Sequence, residues 1–152
     1  MAPNLIRTFA NSPAALETYL GFAALDTGTL SPAIREQIAL AVSEINGCGY
    51  CLAAHTAVGK VVGLSEEKIL DSRSSSSTDR KEEAALQFAK QIVEKRGWVS
   101  DEDVARMRQA GYSDGEVAET VASVVKTIFT NYFNHLAQTE IDFPPVPELA
   151  SA

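Results

Sequence analysis

The sequence predicts an all-α protein. Three observations carry this: apolar residues recur at helical spacing, the periodic segments open on Ser or Asp caps, and no stretch alternates apolar and polar residues between turn signals. Ser12-Pro13 and Ser31-Pro32 each read as an N-cap followed by proline at the first helical position, where a missing N–H is harmless. Leu16, Tyr19, Leu20 and Ala23 form the stripe of the first of these helices. Ile34, Ile38, Val42 and Ile45 form that of the second, which stops at Asn46-Gly47. A third helix starts around Cys48, carries Ala54, Val58, Val61 and Val62, and ends at Gly63, and Ser65-Glu66-Glu67 opens a short fourth.

Asp79 with Glu82 reads as a capping box for a helix bearing Ala85, Phe88, Ala89 and Ile92. Ser100 with Asp103 opens the next, ending at Gly111. Ser113 with Glu116 opens the longest, with Val117, Val121, Val124, Ile128, Tyr132 and Leu136 as its main stripe and Val125, Phe129 and Phe133 beside it. So wide an apolar face suits a central core helix or one shared with another subunit. The chain reads as one domain over residues 1–152, with a mobile Ser-rich loop at 72–78 as the best candidate for an internal break and an extended, Pro-rich tail at 141–152.

Composition excludes several function classes. The 152 residues suffice for a core without staples, and 45% hydrophobic with 22% charged residues is ordinary for a globular domain. A net charge of −7 argues against nucleic-acid binding and gives no support for anionic membrane surfaces. No apolar run reaches the length of a membrane span, and the N-terminus lacks a charged start followed by an apolar stretch, so a cytoplasmic protein is expected.

The chemistry concentrates in Cys48-Gly49-Tyr50-Cys51-Leu52-Ala53-Ala54-His55, which holds the only two cysteines and one of the two histidines. Cys48, Cys51 and His55 share one face of a helix start, where unpaired N–H groups favour anions. A helix N-terminus and a neighbouring histidine both raise the thiolate fraction of a cysteine, and a second cysteine one turn away can close a disulfide on a sulfenic acid. A carboxylate able to orient His55 is available from Glu36 or from Glu44, and spacing does not choose between them. The other readings are two buried small apolar cysteines, or zinc on Cys48, Cys51 and His55 with His135 or Glu36 as fourth ligand. A thioredoxin-like centre would follow a strand, whereas a capped helix precedes this one, and a c-type haem site needs the histidine directly after the second cysteine. His135 is either a pocket residue or a hydrogen-bonded structural one, and Tyr50 is a lid over the sulfurs or simple packing.

Glu36, Cys48-Gly49-Tyr50-Cys51 and His55, with Gly97-Trp98-Val99-Ser100-Asp101-Glu102-Asp103-Val104 and Asn131-Tyr132-Phe133-Asn134-His135, resemble the alkyl hydroperoxidase D-like family within the carboxymuconolactone decarboxylase superfamily. The resemblance favours Glu36 over Glu44. It implies a compact all-α subunit in symmetric oligomers, often trimers or hexamers. It further implies a peroxidatic Cys51, a resolving Cys48, a proton relay through His55 and Glu36, and reduction by a dithiol or lipoyl-bearing partner. Decarboxylase relatives generally lack the cysteine pair, so its presence points to the redox branch. Well-studied members carry a second histidine where this chain has Tyr50, a poor base near neutral pH. The expected function is thiol-dependent reduction of organic hydroperoxides without metal or bound cofactor. Disulfide exchange, redox sensing without peroxidase turnover, and a zinc-binding interaction module are the alternatives.

Overall fold

A computed structural model describes residues 2–149, and those residues form helices and loops without a strand. Helix α1 spans Asn4–Phe9, α2 Pro13–Gly21, and a 3-10 segment Phe22–Thr27 leads to α3 at Pro32–Ile45. Then follow α4 (Gly49–Val61), α5 (Glu66–Arg73), α6 (Arg80–Glu94), α7 (Asp101–Gln109) and α8 (Asp114–Ala137). Caps set most of these starts: the side chains of Ser12, Ser31, Ser65, Asp79, Ser100 and Ser113 each accept a backbone N–H of the first turn. Reciprocal boxes close at Ser100/Asp103 and Ser113/Glu116.

Helix α3 is the hub. Residues Gln37 to Ser43 are buried without interruption, because α4, α5, α6 and α8 pack around it. One core joins Ile38 and Val42 of α3 to Phe88 and Ala89 of α6, Met107 of α7 and Val124 of α8. A second gathers Leu5 and Phe9 of α1 around Cys48, Tyr50 and Cys51, with Phe129 and Phe133 of α8 against it. The Phe9 ring stacks on Phe133 and on Tyr19, with centroids 3.9 and 5.1 Å apart. The cysteines therefore sit in an apolar cluster at the junction of the amino-terminal helices, α4 and α8.

Several sequence expectations are corrected. Helix α1 is an addition to the expected helices: Pro3 precedes it and no side chain caps it. Helix α2 ends at Gly21, and of its expected stripe Leu16 and Tyr19 pack inward while Leu20 is exposed. On α4, Val58 and Val61 also face outward. Glu82 does not complete a capping box, because Lys68 and Ser77 engage its carboxylate instead. The Ser-rich loop begins at Ser74, after α5, and is pinned rather than free. Ser75 is 3% exposed and its carbonyl accepts from Gln87 Nε2 at 2.7 Å.

Helix α8 departs most from expectation. Its buried face is mainly polar, comprising Thr120, Ser123, Thr127, Thr130, Asn131 and Asn134 with Val124. Val121, Val125, Tyr132 and Leu136, which fall within about 60° of one another around the helix, are exposed. After α8 the chain is irregular, as its prolines require. Phe143 packs edge-on against Tyr50, and Asp142 accepts the Asn4 N–H at 2.8 Å, so the tail and α1 are tied together over the cysteine cluster.

Candidate active site

Gly47, at φ +66°, permits the tight turn that ends α3 and starts α4. The Cys48 N–H donates to Ser43 O across that turn at 2.9 Å. Cys48 is itself the N-cap of α4: its backbone is extended and its Sγ accepts from the Cys51 N–H at 3.3 Å. The two residues have Cα atoms 5.3 Å apart and are joined as a disulfide. Both are deeply buried, at 1% and 2% exposure. From α8 the Asn134 side-chain amide donates to Cys51 Sγ at 3.2 Å. The sequence assigns Asn134 no role of its own; it enters only as part of the family-like segment Asn131–His135, and it lies on the polar face that α8 buries.

One turn after Cys51, His55 Nδ1 lies 2.7 Å from Glu36 Oε2, with both side chains mostly buried. A carboxylate oxygen accepts, so Nδ1 is the donor to Glu36 and Nε2 is the ring nitrogen left free of that contact. The geometry separates the two carboxylates that spacing left open. Glu44 is held by Arg73 Nε at 2.6 Å, and Glu36 is the one on the histidine.

Cys51, His55 and Glu36 line one cavity of about 230 Å³, whose walls include Leu5, Ile6, Tyr19, Tyr50, Val58 and Phe143, with Lys126 and Thr127 from α8. Cys48 is not among its lining residues. Only one of the two sulfurs thus borders the space that a small molecule would occupy.

Tyr50 serves both as wall and as anchor. Its hydroxyl accepts the Leu5 N–H at 3.1 Å, and burial, with the Asp142 carboxylate adding, pushes the phenol up to about 12. It cannot replace a histidine as a base near neutral pH. His135, left open between a pocket and a structural place, is exposed on α8 and is not among the residues lining this cavity. Among the described residues, no group of three His, Cys, Asp or Glu side chains converges as a metal site would.

The model of the carboxymuconolactone decarboxylase family matches residues 12–94, more than half the chain and including Glu36, both cysteines and His55. The chain belongs to the carboxymuconolactone decarboxylase family. Its fold is likewise that of solved alkylhydroperoxidase-type structures. The alkylhydroperoxidase AhpD core of an uncharacterised peroxidase-related protein from Ralstonia eutropha JMP134 superposes with a TM-score of 0.83 at 22% identity, covering 96% of this chain and 78% of that one. A peroxidase-related protein from Silicibacter sp. TM1040 gives 0.78 at 24% identity, with the same coverage. The debrominase Bmp8 gives 0.80 at 21% identity, over 93% of this chain and 78% of that one. Among curated protein sequences, none matches this family member.

Proposed function

We propose that this family member is a thiol-dependent peroxidase that reduces organic hydroperoxides through a Cys48/Cys51 dithiol–disulfide cycle. The observation that carries the reading is the arrangement around the cavity: Cys51 borders it, His55 held by Glu36 borders it one turn away, and Cys48 stands behind. In the reduced protein the Nε2 lone pair of His55 takes the Cys51 proton, and Glu36 stabilises the imidazolium. The thiolate attacks the distal oxygen of R–O–OH. The O–O bond breaks, Cys51 becomes a sulfenic acid, and the departing alkoxide takes the proton from His55 to leave as R–OH. Cys48 then attacks the sulfenic sulfur, water leaves, and the disulfide forms. A dithiol, of lipoyl type in this reading, reduces the disulfide and is itself oxidised to a disulfide. The Asn134 amide, aimed at Cys51 Sγ, stabilises the thiolate as a hydrogen-bond donor.

The exposed apolar stripe of α8 supports a homo-oligomer, trimer or hexamer, since a contiguous patch of this kind on a lone subunit marks an interaction surface. Among the described residues no helix is long and apolar enough to cross a membrane, and the acidic balance favours neither nucleic acid nor anionic lipid as partner.

Thiol titration before and after an organic hydroperoxide tests the reading, together with Cys48→Ser and Cys51→Ser variants. The reduced parent loses two free thiols, and Cys48→Ser accumulates a trappable sulfenic acid while Cys51→Ser does not. Survival of both thiols in the presence of peroxide sinks the peroxidase reading, and exchange with dithiols alone would then identify a disulfide oxidoreductase.

A further inference from the structure

Two cavities meet at the Glu36–His55 pair. The second, about 170 Å³, shares Glu36, His55, Val58, Lys126 and Thr127 with the Cys51 cavity and adds Asp26, Arg35 and Ser123 to its lining. Most of its charged groups already have a hydrogen-bonding partner. Asp26 pairs with Arg35 at 3.2 Å and Glu36 with His55 at 2.7 Å. The Arg35 guanidinium also donates to the carbonyls of Leu25 and Leu30, at 2.9 and 2.7 Å. Lys126 is the exception: among the described residues it has neither an ion-pair nor a hydrogen-bond partner, although it lines both cavities.

A second group there is also unmatched. Ser123 is 5% exposed and its hydroxyl is buried without a hydrogen-bond partner. A buried unpartnered hydroxyl is costly, and natural proteins rarely leave one unless something else fills the vacancy. Ser123 and Lys126 are three residues apart on α8 and so neighbours on its surface, and both face the second cavity. A cation with no carboxylate at ion-pair distance beside a hydroxyl without a partner is a donor pair for a carboxylate. Its two oxygens accept from Nζ and Oγ, and its charge balances the ammonium.

We propose that Ser123 and Lys126 form a carboxylate subsite, and that the substrate is a small amphipathic hydroperoxide carrying an acid group. Its carboxylate lies in the second cavity, and its apolar body passes the Glu36–His55 pair and presents the peroxide to Cys51. The two cavities it would fill, about 230 and 170 Å³, together reach only the lower end of the range for small-molecule pockets, roughly 300–1,000 Å³, which sets the size class. The proposal deepens the peroxidase reading and rests on it for the identity of the reacting group.

The test compares kcat/KM for a carboxylate-bearing hydroperoxide and for its methyl ester, in the native protein, Lys126→Met and Ser123→Ala. The native protein prefers the acid by roughly tenfold. Lys126→Met brings the ratio close to one through KM, and Ser123→Ala lowers it part of the way. A native ratio near one, or one unmoved in Lys126→Met, overturns the subsite. A binding arm needs no turnover: octanoate raises the melting temperature of the native protein more than octanol does, and Lys126→Met removes the difference. Equal effects of octanoate and octanol also overturn it. If octanoate binds through Lys126 but no hydroperoxide is consumed, the peroxidase reading fails and the subsite stands. Turnover without acid preference or octanoate binding removes the subsite alone.

Discussion

Around Cys51 the decisive contacts come from different parts of the chain. His55 lies four residues on, but its carboxylate partner is nineteen residues back and the amide donor at the sulfur is 83 residues ahead. A donor at 3.2 Å lowers the energy of an anionic sulfur relative to the thiol. Asn134→Ala therefore slows oxidation of reduced Cys51 by hydroperoxide about tenfold, read as the second-order rate of sulfenic acid formation; an unchanged rate would show that the amide only fills space. Of the residues singled out by reading the chain, Glu36 is placed on the histidine, whereas His135 points to solvent. The first had a family resemblance to argue from. The second had only its identity, and a histidine near the end of a long helix says nothing about which way that helix faces.

At the scale of the elements, α8 is held by polar contacts as much as by apolar ones. Asn131, fully buried, donates to Ser43 Oγ at 3.2 Å and accepts from Asn46 Nδ2 at 2.9 Å, fixing α8 against the end of α3 where the cysteine turn begins. Asn131→Ala leaves both partners unmatched and costs about 2 kcal/mol of unfolding free energy. Urea denaturation checks this, and a loss below about 0.5 kcal/mol would mean that water replaces the amide.

Helix α7 gives a pH-dependent counterpart. The Ser100 N–H, with Lys95 and the Ser100 hydroxyl, holds the Asp103 carboxyl well below its ordinary value of 3.8, and Arg106 also contacts it. A depressed folded-state value contributes stability that is present above the ordinary carboxylate range and fades as pH falls through the folded-state value. Asp103→Asn thus lowers the melting temperature at neutral pH, with the gap to the parent narrowing below about pH 4. A gap that stays constant across that range would rule out the ionised carboxylate as its cause.

For the molecule as a whole, the exposed face of α8 is the main unsatisfied feature. Val125, Tyr132 and Leu136 are 49%, 61% and 86% exposed on one side of a helix whose other side is packed against α3. Burying that face in a second subunit is the economical solution, and two charges placed on it oppose association. Val125→Glu with Leu136→Glu converts the proposed oligomer to monomer in sedimentation velocity while helix content is kept. A parent that is already monomeric at micromolar concentration would refute the shared interface.

Local signals determined a great deal of this protein. Ser and Asp caps, prolines at helix starts and Gly47 place α2 to α8 within a residue or two, because each acts through backbone groups in its own turn. The Cys-x-x-Cys with His55 at a helix start was legible for the same reason: i, i+3 and i+7 is a local geometry. Periodicity showed that α8 has a broad apolar face but not which way it points, since the interior accepted a polar face once Asn131 and Asn134 found partners on α3 and α4. Which carboxylate meets His55 and which sulfur borders the cavity were implied by the family resemblance but not by local spacing, and that Tyr50 binds α1 and the tail was set by packing alone. Those outcomes depend on side chains far apart in sequence, whose meeting is set by how α3, α4 and α8 cross.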